Sequence, residues 1–356
     1  MRLQRRQALL VAAAAAGAWC QAAGAQPPAS PWPVAAAAGF QPFDFVALGD
    51  MPYGPDAIKG PPYRHLIDQI NALGLPFAIH IGDFKDGMAA CSDAEFALQH
   101  QHFMRFAQAL IYTPGDNDWL DCQRRGDDPL QRLQALRRRF FVTAQSLGQR
   151  PLALQRQGDL NPAFARYVEN QRWTHRGVVF ATFHTVGPDN GVSAPQASVR
   201  AEVAQREAAN AAWITEAFAL AHQSRARALV LATQAETLHY PHAAREHDGV
   251  LQPGFALSFQ QALLPLAQAA PHPVLLIHGD THHYMQDRPF RDAQGRRIDN
   301  LWRLQVFGEP RMHAVRVRIN NAALAGQPAN QAPPFSFSPI WNPLSPDPRL
   351  GQRIER

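Results

Sequence analysis

Cysteine is scarce in this sequence, with 3 in 356 residues. That excludes a zinc ribbon, which needs clustered thiol pairs. No Gly-rich nucleotide-binding loop is present, and no Ser, His and Asp stand in the order of a nucleophilic triad. Beyond the N-terminal segment, no apolar run is long enough to cross a bilayer. Excess charge is also small. Arg2, Arg5 and Arg6 carry three of the five net positive charges. The remainder is too mild to point to nucleic acid. Pro and Ala are abundant but follow no period, and Gly is ordinary, so collagen-like and repeat architectures are excluded.

What is present begins with those three arginines, an apolar stretch over 8–19 and the small-x-small site Ala23-Gly24-Ala25. The pattern predicts a signal peptide over 1–25 and an exported, periplasmic or secreted, protein. The Arg5-Arg6 pair is compatible with the twin-arginine route. Residues 26–42, with Pro27, Pro28, Pro31 and Pro33, read as an extended linker. Export leaves Cys91 and Cys122, which predict a disulfide rather than a metal site. Closing a loop of that length stabilises by about 3–4 kcal/mol on the chain-entropy account. The main domain is expected over 43–320, followed by a Pro-rich tail over 321–356. Phe335, Phe337 and Trp341 suggest that part of the tail docks.

Four short apolar runs each end in Gly-Asp. They are Phe45-Val46-Ala47-Leu48 before Gly49-Asp50, Phe77-Ala78-Ile79-His80-Ile81 before Gly82-Asp83, Ile111-Tyr112-Thr113-Pro114 before Gly115-Asp116, and Val274-Leu275-Leu276-Ile277-His278 before Gly279-Asp280. Such runs read as buried strands. The first three follow one another at a constant interval that fits strand, helix, strand, so parallel strands are expected. Helices are predicted over 63–73, 93–110, 129–147, 199–222 and 255–267. The second of these runs up to the third strand, and the third carries Arg137-Arg138-Arg139 on a solvated side. Residues 149–162 read as loop, and 165–173 with 177–186 as adjacent strands. A buried strand over 226–232 leads to Gln234. Residues 300–307 and 313–319 alternate like an antiparallel pair around Gly308-Glu309-Pro310.

Ligands of open α/β sheets gather beyond the carboxyl ends of the strands. Carboxylates delivered together to one such edge repel one another, and metal cations relieve that repulsion. The competing reading is that each Asp caps the helix after its strand. Gly126-Asp127 and Gly158-Asp159 follow no apolar run, so the dipeptide alone means little. Repetition after four strands, with His282 two residues past Asp280, favours metal.

Asp50, Gly82-Asp83, Gly115-Asp116-Asn117-Asp118 and Gly279-Asp280-Thr281-His282 resemble the motifs of the calcineurin-like metallophosphoesterases. That family shows D-x-H, G-D, G-N-H-D/E, a lone His, then G-H-x-H. The resemblance runs from about residue 43 to about residue 320, and Thr113 to Trp119 is similar to the third motif of an exported bacterial branch. It implies an α/β fold of two mixed β-sheets packed as a sandwich with helices outside. It also implies two divalent metals, a small phosphoester substrate and hydrolysis by an activated water.

Residue by residue, the implied metal ligands are Asp50, Asp83 as the bridge, Asp116, Gln234, Asp280 and His282. Pro52 stands where the first motif has His, and Tyr53 either reaches in as a phenol ligand or packs. Asn117 replaces the His that assists the leaving group, and Asp280 replaces the first His of the last motif. His184 and His278 are candidate substitutes for the missing acid. His80 and His278 are also read as orienters of an Asp, and His283 as an outward neighbour of His282. An oxygen-rich donor set favours Mn, Mg, Ca or Fe over Zn. The sequence therefore predicts an exported phosphomonoesterase or phosphodiesterase. A phosphate or metal binder on the same scaffold is the alternative, and a purely structural envelope protein is a third reading.

Overall fold

The computed structural model describes residues 40–239, 249–320 and 333–345. The expected signal peptide, most of the linker and much of the 321–356 tail lie outside the described residues. The strands are β1 (Phe43–Leu48), β2 (Phe77–His80), β3 (Ala109–Tyr112), β4 (Gln155–Arg156), β5 (Gln171–His175) and β6 (Val178–Thr182). They continue with β7 (Leu229–Ala232), β8 (Val274–His278), β9 (Met285–Asp287), β10 (Leu301–Gln305), β11 (Ala314–Ile319) and β12 (Phe335–Ile340). The helices are α1 (Asp56–Ala72), α2 (Asp93–Met104), α3 (Pro129–Phe140), α4 (Gln157–Leu160), α5 (Ala197–Gln223) and α6 (Leu264–Ala269).

Two mixed sheets result. One has the order β12-β11-β1-β2-β3, the other β4-β5-β6-β7-β8-β10-β9. Strands β1, β2 and β3 are parallel, as the repeated interval predicted, and so are β6, β7, β8 and β10. Alternation along each strand sorts the side chains into layers. Phe45, Ala47, Phe77 and Ile79 face Val230, Ala232, Leu275 and Ile277 in a core between the sheets. Phe45 meets Phe180 edge-on at 5.4 Å, and Phe77 meets Trp173 at 5.6 Å. Val46, Leu48 and Ala78 turn the other way, onto Tyr63, Leu66, Ile67 and Ile70 of α1. Leu229, Leu231, Val274 and Leu276 turn outward onto α5 and the π-helical turn Ala256–Leu263. The fold is α/β, a sandwich of two mixed sheets flanked by helices, as expected.

Several elements depart from the sequence reading. Residues 300–307 and 313–319 do not pair. Strand β10 lies parallel to β8 in one sheet, and β11 lies antiparallel to β1 in the other. Their alternation was real, but each serves a different sheet. The first helix starts at Asp56 and runs through Pro61 and Pro62, because Ile58 N and Lys59 N already bond the Pro55 carbonyl, both at 2.9 Å. Helix α2 stops at Met104 and α3 at Phe140, and 149–162 contains β4 and α4. Within the tail, β12 pairs with β11 and places Phe335 in the core between the sheets.

Cys91 and Cys122 form a disulfide with a Cα–Cα distance of 5.7 Å. It ties the loop after β2 to a 3-10 turn, Leu120–Arg125, after β3.

Arg137 corrects the expectation of a solvated arginine face. It lies four residues after buried Leu133 and so shares the inner edge of α3. Its Nε donates to Glu169 Oε2 at 2.9 Å, and Glu169 is fully buried. Arg138 and Arg139 are exposed. Arg137 and His184 hold the Glu169 carboxyl well below the usual range against the opposing effect of burial. Removing one partner of a buried pair strands the other charge, which costs about 3–5 kcal/mol. Arg137→Ala is therefore expected to lose that much in urea denaturation, whereas Arg138→Ala stays within about 0.5 kcal/mol. Equal losses from the two would contradict the pairing.

Candidate functional site

The parallel strands of both sheets end on one side of the sandwich, and their loops are stitched together there. Asp50 N bonds Gly82 O at 2.9 Å, Glu309 N bonds Asp50 O at 3.0 Å, and Gly279 N bonds Gln234 O at 3.0 Å. Asp280 N, after β8, donates to both Asp50 carboxylate oxygens at 3.2 and 3.1 Å, which joins the two sheets at the site. Asp50, Asp83, Asp116 and Asp118 are buried, and Asp280 is half-buried. Burial raises every one of these carboxyls. Repulsion adds to it: Asp280 acts on Asp50 and Asp116, and Asp116 acts on Asp83. Asp280 is pushed up to about 7 by desolvation and by Glu236.

The backbone is bent to make this arrangement. Asp50, Asp83, Asp280 and His282 have φ of 53°, 54°, 76° and 61°. Left-handed conformations are uncommon for residues with a Cβ and cost of order 1 kcal/mol each. Glycine is needed beside them. A Cβ on Gly115 would lie 2.0 Å from Asp83 Oδ1, and one on Gly279 would lie 2.0 Å from Asp50 Oδ2.

Asp83 is met by groups from three other loops. Oδ1 accepts from Asn117 N at 3.0 Å, and Oδ2 accepts from Tyr53 Oη at 3.2 Å and Gln234 Nε2 at 3.1 Å. Gln234 Nε2 also donates to Asp116 Oδ1 at 3.0 Å. The Gln234 oxygen, the atom a metal would need, accepts from Gly187 N at 2.8 Å. The structure thus brings Gln234 to the carboxylates as a donor, with its oxygen turned away. His282 Nδ1 donates to Glu309 O at 2.7 Å, which leaves the Nε2 lone pair toward the site, 3.9 Å from Asp50 Oδ1. Tyr53 does reach in. Its hydroxyl is 3.3 Å from His282 Nε2 and receives Asn117 Nδ2 at 2.9 Å.

The other candidate histidines are engaged elsewhere. His184 is fully buried, with Nδ1 on Glu169 at 2.9 Å and Nε2 accepting from Trp119 Nε1 at 3.1 Å. Both nitrogens are committed, so in this conformation it has no proton for the carboxylate edge. His278 donates Nδ1–H to Gly279 O at 3.2 Å, and burial followed by Arg303 lowers its pKa to about 3. His80 accepts from Gly82 N at 3.3 Å rather than orienting an Asp. His283 is exposed. Among the described residues, no three His, Cys, Asp or Glu side chains stand in the arrangement of a formed metal site.

Asp118 received no role from the sequence. It accepts from Asp83 N at 3.0 Å, Phe84 N at 2.9 Å, Gly115 N at 2.9 Å and Tyr112 Oη at 2.7 Å. A carboxylate three residues past a turn glycine is the available signal, since such side chains bond nearby backbone N–H groups.

No protein-family model matches the chain, and no curated protein matches it. Among solved structures it is similar to a dimetal phosphatase from Danio rerio, at 11% identity and a TM-score of 0.46, over 84% of this chain and 99% of that one. It is also similar to a purple acid phosphatase from yellow lupin (Lupinus luteus) seeds, at 14% identity and 0.47, over 82% of this chain and 51% of that one. A 5'-nucleotidase from Candida albicans SC5314 matches at 10% identity and 0.41, over 85% of this chain and 52% of that one. The chain thus spans about half the length of the latter two.

The Asp118 contacts carry a stability prediction. Hydrogen bonds to a charged group contribute about 1.5–3 kcal/mol each, and orphaned buried donors add a penalty. Asp118→Ala is expected to lose at least about 3 kcal/mol in chemical denaturation. A loss under about 1 kcal/mol would show that Asp118 does not hold these loops.

Proposed function

We propose that the chain is a metal-dependent phosphoester hydrolase of the calcineurin-like type. The observation that carries this reading is the convergence of Asp50, Asp83, Asp116, Asp280 and His282 on one edge, at the motif positions that resemble that family. Buried carboxylates that repel one another, with one imidazole lone pair beside them, suit hard divalent cations such as Mg, Mn, Ca or Fe better than Zn. These five residues would hold the cations, and Asp83 is the natural shared ligand because groups from three other loops already meet it. When bound, the cations would polarise a phosphoester and render a water nucleophilic. Gln234 bridges Asp83 and Asp116 as a donor to both. The signal-peptide pattern and the Cys91–Cys122 bridge support export. The expected partner is a small phosphoester.

Asn117 can exchange its bond to Tyr53 for one to an ester oxygen, but an amide releases no proton at neutral pH. With His184 and His278 committed elsewhere, the departing oxygen lacks a histidine donor. That same observation favours the second reading, a binder of phosphorylated ligands without turnover. General acid assistance is worth about 10²–10⁴ in rate.

Two measurements follow. The first is hydrolysis of aryl and alkyl phosphoesters with each of the four metals added. A steep dependence on leaving-group pKa is expected, and Asn117→His should flatten it. Rates insensitive to the leaving group would refute the missing acid, and no hydrolysis with any metal would leave the binder. The second is elemental analysis of metal per chain. Asp83→Asn should lose metal from both sites and Asp50→Asn mainly from one. Full metal retention in Asp83→Asn would overturn the shared role.

A further inference from the structure

We propose that Arg124 is the phosphate-holding residue of this site and acts beside Asn117 on the substrate's phosphoryl oxygens. The inference rests on the hydrolase reading and names a residue that the motifs leave out.

The geometry comes from the loop after β2. A Cβ on Gly87 would lie 2.5 Å from Asp121 Oδ2, 2.6 Å from Asn117 Oδ1 and 2.9 Å from Arg124 Nη1. These three atoms therefore crowd one side of Gly87, and the absence of a Cβ there lets Asp121, Asn117 and Arg124 come together. Asn117 is also tied inward, through its amide N to Asp83 and through Nδ2 to Tyr53. The order from the interior outward is then carboxylate edge, Asn117, Arg124. The Arg124 side chain is half exposed. One of its nitrogens lies 2.9 Å from Asp121, whose side chain is only 6% exposed. A guanidinium has five N–H donors in a rigid fork, so an anchored Arg still presents donors to an oxyanion.

The surroundings hold this cation in place. The turn that carries it, Leu120–Arg125, is joined through Cys122 to Cys91. Lys85, itself buried, donates to Asp86 O at 3.1 Å and to Ala89 O at 3.4 Å, which shapes the loop around Gly87. With cations held by the carboxylates, a guanidinium at the outer edge would add a directional donor that can pair with two phosphoryl oxygens. Because that pairing is made in the ground state as well as in the transition state, Arg124 should govern KM and phosphate affinity more than kcat.

The test uses the full chain loaded with Mn²⁺, p-nitrophenyl phosphate as substrate and inorganic phosphate as the competing ligand. Losing one charge-assisted contact corresponds to about a 10- to 100-fold change. Arg124→Gln is expected to raise KM and the phosphate inhibition constant by that factor, with metal content unchanged. Arg124→Lys should recover part of the loss. Gly87→Ala, whose Cβ would push Asp121, Asn117 and Arg124 apart, should weaken phosphate inhibition in the same way. An independent readout is phenylglyoxal labelling followed by peptide mass analysis. Inorganic phosphate should protect Arg124 in the wild-type chain and should not protect exposed Arg138. If the wild type hydrolyses the ester and is inhibited by phosphate, but Arg124→Gln matches it and labelling of Arg124 ignores phosphate, this inference fails while the hydrolase reading stands. If the wild type neither hydrolyses nor binds phosphate, both fail.

Discussion

Like charges forced into one poorly solvated edge are the constraint to which the rest of the structure answers. Asp50, Asp83, Asp116 and Asp118 are each nearly or wholly removed from water, with Asp280 beside them. Carboxylates so placed are unfavourable by desolvation and by mutual repulsion. They are tolerated because donors from other loops meet them: the amide of Asp280 on Asp50, of Asn117 on Asp83, of Glu236 on Asp280, and the Gln234 side chain on two of them at once. The left-handed backbone at Asp50, Asp83 and Asp280 follows from the same need, since each residue leaves its strand and must turn its carboxylate back toward the others.

The sandwich makes that arrangement possible. Phe45, Phe77, Trp173 and Phe180 fix the two sheets against each other through edge-on contacts. The ends of β1, β2 and β3 then lie opposite the ends of β7 and β8. A large-to-small change in this aromatic cluster would shift one set of carboxylates relative to the other, because packed cores deform in steps rather than continuously.

The strand ends were legible in the sequence because a Gly-Asp after an apolar run combines two local signals, burial and a turn. Asp50, Asp83, Asp116, Asp280 and His282 could be placed from that pattern and from the resemblance it carried. What could not be read is which atom of a side chain turns where. Gln234 stands where a ligand was expected, yet the Gly187 amide claims its oxygen. His184 ends a strand as expected, yet Glu169, from the neighbouring segment before β5, claims its Nδ1. Arg137 in a run of three arginines was read as solvated, and the same Glu169 draws it inward. These outcomes depend on partners distant in sequence. The sheet assignment of β10 and β11 failed for a related reason, since alternation reports a half-buried strand but not the sheet that it joins.

The loop after β3 is restrained from three sides. Asp118 bonds the loop after β2, Trp119 bonds His184 after β6, and Cys122 is bridged to Cys91. His184 is in turn held by Glu169, and Glu169 by Arg137 on α3. That chain of contacts connects a flanking helix to the segment carrying Asp116, Asn117 and Arg124. His184, expected as a substitute acid, is instead used to fix the tryptophan beside it. Position is thereby secured by buried hydrogen bonds, and the groups left at the edge are carboxylate oxygens, the Asn117 amide and the His282 imidazole lone pair. Such a set suits hard cations, and its amide releases no proton, which is the chemical character that the sequence substitutions and the geometry share.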